Sequence, residues 1–280
     1  MLEKILLPVK KGEKVGRIIQ TAKFLKLFDT EEIILLNVGK NTGEERIQNL
    51  NRMVEALENE SFKTELVFRQ GHVPTQIVRA GIEKKTSCIC LPWKRKNPIR
   101  RAIMGNVASD VIRLSSLPVL VHKTAKGIPV KKEVNNILYA TGLMNTDIKI
   151  LKYLTDKGLK AGNLFLLHVG ERAPDPVAEE TRIRRVHNNM SHIEEKCSGC
   201  FDHIEKIEAV AVSVSTQIAR KASRIGADLI IIGKVDKHRP FEKMTGSVTE
   251  SLPEKANCSV MIIPGTYKGM QDNPEEEKEK

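Results

Sequence analysis

Residues 228–263 read DLIIIGKVDKHRPFEKMTGSVTESLPEKANCSVMII. The apolar run Leu229 to Ile232 stops at Gly233, and a polar, basic loop follows. Gly246-Ser247-Val248-Thr249 then opens a predicted helix, and a second apolar run, Ser259 to Ile263, comes after it. A strand, a glycine, a loop and a small-residue helix start make a place for an anion. Free N–H groups at a helix N-terminus point at it, and Gly and Ser let the backbone approach closely. The same outline occurs earlier, at residues 87–122, SCICLPWKRKNPIRRAIMGNVASDVIRLSSLPVLVH. Gly105 lies 141 positions before Gly246, and the pairs Val107/Val248 and Val119/Val260 keep that offset.

The chain is therefore a duplication. Lys4 to Val9 opens the first copy and Asn136 to Thr141 the second, offset by 132 positions at Ile5 and Ile137. The offset grows from 132 to 141, so the second copy holds about nine extra residues, expected within 170–200. Expected strands lie at about 4–9, 32–38, 64–70, 87–91 and 118–122, then 135–141, 163–169, 205–212, 227–232 and 259–263. Helices are expected at about 13–28, 43–59, 74–85 and 106–115, then 146–159, 178–198, 215–225 and 247–256. Short strands alternating with amphipathic stretches predict an α/β fold, its parallel sheet covered on both faces. Ligands in such sheets bind outside the carboxyl ends of the strands, where the winding reverses. The expected domains are 1–124 and 134–264, joined by a linker around 123–134 and followed by a disordered charged tail, 265–280.

Of 280 residues, 40% are apolar and 29% charged, an ordinary globular balance. There is no apolar run near the length of a membrane span. The chain opens directly on a strand pattern, so no secretion signal is expected. Five cysteines without a framework spacing fit a reducing, cytoplasmic setting, with Cys88 and Cys90 inside a buried strand. The net charge of +11 is uneven: residues 1–132 hold 25 Lys and Arg against 13 Asp and Glu, and the remainder 21 against 22. The excess attracts anionic surfaces, the alternative being a solvated lysine-rich face. Three Tyr, one Trp and seven Phe argue against a protein that stacks single-stranded bases.

Leu117-Pro118-Val119-Leu120-Val121 and Cys258-Ser259-Val260-Met261-Ile262 close the copies, and Gly233, Gly246 and Ser247 keep three of four points of a Gly-x-x-Gly, nine-residue, Gly-Ser/Thr motif. On these residues the chain resembles a tandem universal stress protein along nearly its whole length. The resemblance implies two tandem five-stranded parallel α/β domains, dimerisation, and in some members adenine-nucleotide binding. In this family the last strand is an apolar edge that pairs with its counterpart, so the copies should pack as a pseudo-dimer through Val119–His122 and Val260–Ile263.

By position, the resemblance implies a nucleotide crevice in the second copy. Ala140, Thr141 and Gly142 would line one wall, Val169 the base side, and Ile232, Gly233 and Val235 the floor, with Gly246, Ser247, Val248 and Thr249 on phosphate. Two departures stand out: Asp236 replaces the second glycine, and Gly142 stands where the family has an Asp that contacts the nucleoside. Lys234, Lys237, His238 and Arg239 would offset the charge of Asp236. The first copy departs further, with Pro92, Arg95 and Asn106 in the motif and Lys10 in place of the Asp. Its loop carries five Lys or Arg within 94–101, an anion-docking surface.

His192, Cys197, Cys200 and His203 offer two thiols and two imidazoles, readable as zinc ligands, as a Cys-x-x-Cys redox pair, or as coincidental surface thiols. No nucleophile–base–acid set is evident, and Ser247 reads as a helix cap. Two functions follow. One is a regulatory, stress-responsive protein holding ATP or AMP in the second copy, with no metal beyond the magnesium a nucleotide carries. The other is a nucleotide-independent adaptor docking an acidic protein through its basic first copy. An enzyme is not expected, slow ATP hydrolysis being the upper bound, and the family's dimerisation implies a further homodimer beyond the internal pair.

Overall fold

The computed structural model describes residues 2–10, 12–39, 43–94, 106–124, 132–143, 146–156, 159, 161–234 and 248–265. The first copy runs β1 (Lys4–Val9), α1 (Val15–Leu25), β2 (Glu32–Val38), α2 (Glu44–Asn59), β3 (Lys63–Arg69), α3 (Val73–Glu83), β4 (Cys88–Lys94), α4 (Asn106–Leu114) and β5 (Val119–Thr124). The second repeats it as β6 (Asn136–Thr141), α5 (Thr146–Leu154), β7 (Asn163–Gly170), α6 (Pro176–Cys197), β8 (His203–Val210), α7 (Val214–Arg224), β9 (Leu229–Lys234), α8 (Val248–Lys255) and β10 (Ser259–Pro264).

All ten strands form one sheet in the order β3-β2-β1-β4-β5-β10-β9-β6-β7-β8. Within each copy every pairing is parallel. At the seam β5 and β10 run antiparallel, with Val121, Leu120 and Val119 opposite Val260, Met261 and Ile262. The expected pseudo-dimer is thus built as a continuous sheet. Central strands such as ILL in β1, IILL in β2 and LIII in β9 are buried on both faces, which is why they read as unbroken apolar runs. One apolar layer joins the sheet to α1, α2, α5 and α6, the other to α3, α4, α7 and α8, and both continue across the seam.

The extra residues of the second copy fall between β7 and β8, where α6 has 22 residues against 16 in α2. Asp175 caps α6, accepting from the Ala178 N–H at 2.9 Å, with Pro176 in the first turn. The helix expected over 13–28 ends sooner. After Leu25 the chain tightens into a 3-10 turn, Lys26–Phe28, and leaves it at Asp29 with φ +54°. The strand β5 runs on to Thr124, whose Oγ1 donates to the Trp93 carbonyl at 3.2 Å, so the linker begins later than expected. Residues 125–131 and the tail beyond 265 lie outside the described residues.

Candidate functional site

The winding reverses between β1 and β4 in the first copy and between β6 and β9 in the second. In sheets of this kind the carboxyl end of the strand at the reversal, here β6, is where ligands bind. There Ala140 pairs with Ile232 and Thr141 with His168. Ala140, Val169, Ile232 and Val248 share the apolar layer of α7 and α8, and Gly142 is exposed. Gly233 is half-buried and pairs with Ile263. Val248 and Thr249 begin α8 and are half-buried. Val235, Asp236, Gly246 and Ser247 lie outside the described residues, as do the basic segment 95–101 and Gly105.

Thr141 turns to the other face, toward α5. Its hydroxyl donates to Asp147 Oδ2 at 2.9 Å and accepts from the Leu143 N–H at 2.8 Å. The phenol of Tyr139, whose side chain is fully buried, donates to the other oxygen of the same carboxylate. Burial first, and the Asp147 charge second, push the Tyr139 pKa up, so the phenol stays a donor. Asp147 is the residue that sequence reasoning missed. The strand-end position expected to carry an Asp is Gly142, yet a carboxylate reaches the same strand end from the first turn of α5. The signal was available: Asp147 follows the strand by one short turn, where an acidic side chain also favours a helix start.

A second structural theme recurs in both copies. His168 Nδ1 lies 3.1 Å from the Thr141 carbonyl, and Asn37 Nδ2 donates to the Val9 carbonyl at 3.0 Å, each tying strand two to the last residue of strand one. A guanidinium lies over each strand end. Arg46 donates to Asn37, and Arg182 holds Glu179 at 2.8 and 2.9 Å and Glu208 at 2.6 Å. The bond from Arg182, with another from the Ala173 N–H, holds Glu179 down at about 2. A Cβ at Gly170 would stand 3.1 Å from His168 Nε2 and 3.4 Å from Arg182 Nη1, so this position has little room for a side chain. Beside it a groove of about 580 Å³ is lined by Ala173, Val177, Thr181, Arg182 and Arg185 among others.

Lys234 reaches across to the first copy. Its ammonium donates to the carbonyls of Ile112 and Arg113 at 2.8 Å each and of Ser115 at 2.9 Å, capping α4 of the other copy. Asp236, whose charge it is expected to offset, lies outside the described residues. Lys123 makes the reciprocal reach. It donates to the Pro253 carbonyl of α8 and lies 4.8 Å from the Trp93 ring centroid.

The two His and two Cys residues at 192–203 do not gather as a metal-binding set. His192 is exposed, with Nδ1 3.9 Å from Glu195, and Cys197 faces the core. Burial, then the neighbouring Cys200, push the Cys197 thiol up to about 12. Among the described residues no group of three His, Cys, Asp or Glu is placed to hold a metal ion. Nor is any described helix long and apolar enough to cross a membrane.

Two doubly wound α/β units, each with strand order 3-2-1-4-5 and joined through their last strands, define the class of protein. The model of the universal stress protein family matches residues 1–123 and again 134–264, and the chain belongs to that family. A universal stress protein of Synechocystis sp. is 25% identical over 123 residues, 44% of this chain and 43% of that one, so the match spans less than half of the relative. A universal stress protein from Archaeoglobus fulgidus superposes with a TM-score of 0.70 at 19% identity, covering 95% of this chain and 99% of that one. A functionally unknown protein from Pseudomonas aeruginosa does so with a TM-score of 0.71 at 17% identity, covering 94% and 92%. At these identities the superpositions establish the fold.

Proposed function

We propose that the second copy binds an adenine nucleotide, ATP or AMP, at the carboxyl ends of β6 and β9, and that the protein acts as a nucleotide-responsive regulator rather than a catalyst. The observation that carries this reading is the Asp147 carboxylate at the end of β6, bonded to Thr141 and Tyr139. A carboxylate at the strand end is a group to which a nucleoside hydroxyl donates. Gly142 and Gly233 leave the backbone approachable, and Ala140, Val169 and Ile232 supply the apolar side expected to take the base. Phosphate falls to the segment from Gly246 to Thr249, which by its residues resembles the family's anion loop. The first copy presents an exposed Lys10 where the second has Gly142, and Pro92 where the second has Gly233, so the ligand is assigned to one copy.

Titration calorimetry of the full chain with ATP and with AMP tests this. Saturable binding is expected, abolished by Gly246→Val and weakened about tenfold or more by Asp147→Ala, the effect of losing one hydrogen bond to a charged group. Tyr139→Phe should leave affinity nearly unchanged, since it removes a bond beneath the carboxylate rather than the carboxylate. No heat with either nucleotide, together with no nucleotide released from the purified protein, would overturn the reading.

A further inference from the structure

We propose that Cys197 and Cys200 are an oxidisable dithiol, closed by peroxide to an intrachain disulfide at the end of α6. Residues 197–200 form one β-turn. Ser198 has φ −57° and ψ 129°, and Gly199 has φ +83°, the signature of a type II turn, whose third residue needs positive φ. The turn is closed by the Cys200 N–H donating to the Cys197 carbonyl at 3.0 Å. The ends of a β-turn lie within about 7 Å at Cα, and disulfides span roughly 4.4–6.8 Å, so the turn holds the two cysteines at a backbone separation that a disulfide bridges.

The two thiols differ in access. Cys200 is exposed and Cys197 is buried in the core. Peroxide in solution therefore reaches Cys200 first. Its thiolate attacks one peroxide oxygen, the O–O bond breaks, and the other oxygen leaves as water once protonated, with a sulfenic acid left on Cys200. The Cys197 sulfur, giving up its proton, then attacks the Cys200 sulfur, the S–O bond breaks, and a second water departs. Two thiols are oxidised and one peroxide is reduced. Burial makes the Cys197 thiolate scarce, but the attack is intramolecular and gains the corresponding effective concentration. Cys88 and Cys90 are sealed inside β4, out of reach of this chemistry.

The test uses the reduced full chain, treated with hydrogen peroxide, then denatured in N-ethylmaleimide and digested with trypsin. Cleavage after Lys196 and Lys206 places both cysteines in one peptide, residues 197–206. The expected product is that peptide unlabelled and lighter by two hydrogens, returned to the doubly labelled form by dithiothreitol before labelling. Cys200→Ser, a surface change that spares the core, should leave Cys197 fully labelled after peroxide. Sulfenic or sulfinic acid on Cys200 beside a labelled Cys197 would overturn the pairing. So would two labelled cysteines at a peroxide dose that oxidises free cysteine.

Discussion

At the scale of single residues, His122 shows how burial sets a charge state. Only 7% exposed, it stacks on Phe24 at 4.2 Å between ring centroids and places Nδ1 3.1 Å from Ser259 Oγ. The Ser259 oxygen accepts from the Lys123 N–H at 3.2 Å, which leaves its hydroxyl proton for a neutral imidazole. Burial lowers the His122 pKa to about 4 from 6.5. Between those values the unfolded chain takes up a proton that the native ring refuses. Native stability is therefore complete above about pH 6.5 and falls as the pH drops toward 4, by about 3 kcal/mol in all. His122→Gln keeps polar groups but removes the titration. Urea unfolding of both proteins from neutral pH down to about pH 4 should show a shallower decline in the variant. Parallel declines would show that the carboxylates alone drive acid unfolding.

At the scale of elements, the ends of strands and helices are held by side chains from distant segments. Ser87 precedes β4 and exchanges hydrogen bonds with Lys4 at the start of β1, at 3.3 Å to its oxygen and 2.8 Å from it. Asp228 holds the matching place before β9, accepting from the N–H groups of Asn135 and Asn136 at 2.8 and 3.0 Å. One position thus anchors strand one to strand four in both copies with different chemistry. The carboxyl end of α4 is finished by Lys234, whose three contacts satisfy carbonyls that a helix leaves open. Lys234→Met keeps the aliphatic stem and removes the ammonium. It should cost roughly 1–3 kcal/mol, the range for hydrogen bonds to charged groups and for a charge at a helix end. A lowered urea midpoint with an unchanged slope is the expected record. An unchanged midpoint would mean that water caps α4 equally well.

At the scale of the whole molecule, the seam between β5 and β10 decides whether there is one sheet or two. Leu120, Val121, Val260, Met261 and Ile262 are no more than 1% exposed, and each fully buried side chain of this size contributes about 1.5–3 kcal/mol. Pairing also covers two apolar edges that would otherwise invite association. Lys123 and Lys234 cross the seam in opposite directions, each to the end of the other copy's last helix. Met261→Lys places a charge opposite Leu120, where it must be desolvated or the seam must open. Calorimetry should then resolve two thermal transitions in place of one, and light scattering should show concentration-dependent association. A single transition at the wild-type temperature would show that the copies hold together without this pairing.

The amino-acid sequence alone determined the strands, the duplication and the place of the extra residues. Strands buried on both faces must be continuous apolar runs, and a shifted offset between repeats locates an insertion without a structure. The sequence also placed the last helix, expected over 247–256 and found at Val248–Lys255. It did not reveal Asp147 as the carboxylate at the end of β6, because an Asp was sought on the strand and the carboxylate came from the next helix. Nor did it reveal that Lys234, adjacent to the motif glycine, faces the opposite copy, or that His122 meets Ser259. Those contacts join residues more than a hundred positions apart. Local periodicity determines which face of an element is apolar, but the closing of β5 against β10 decides which polar side chains meet across the seam.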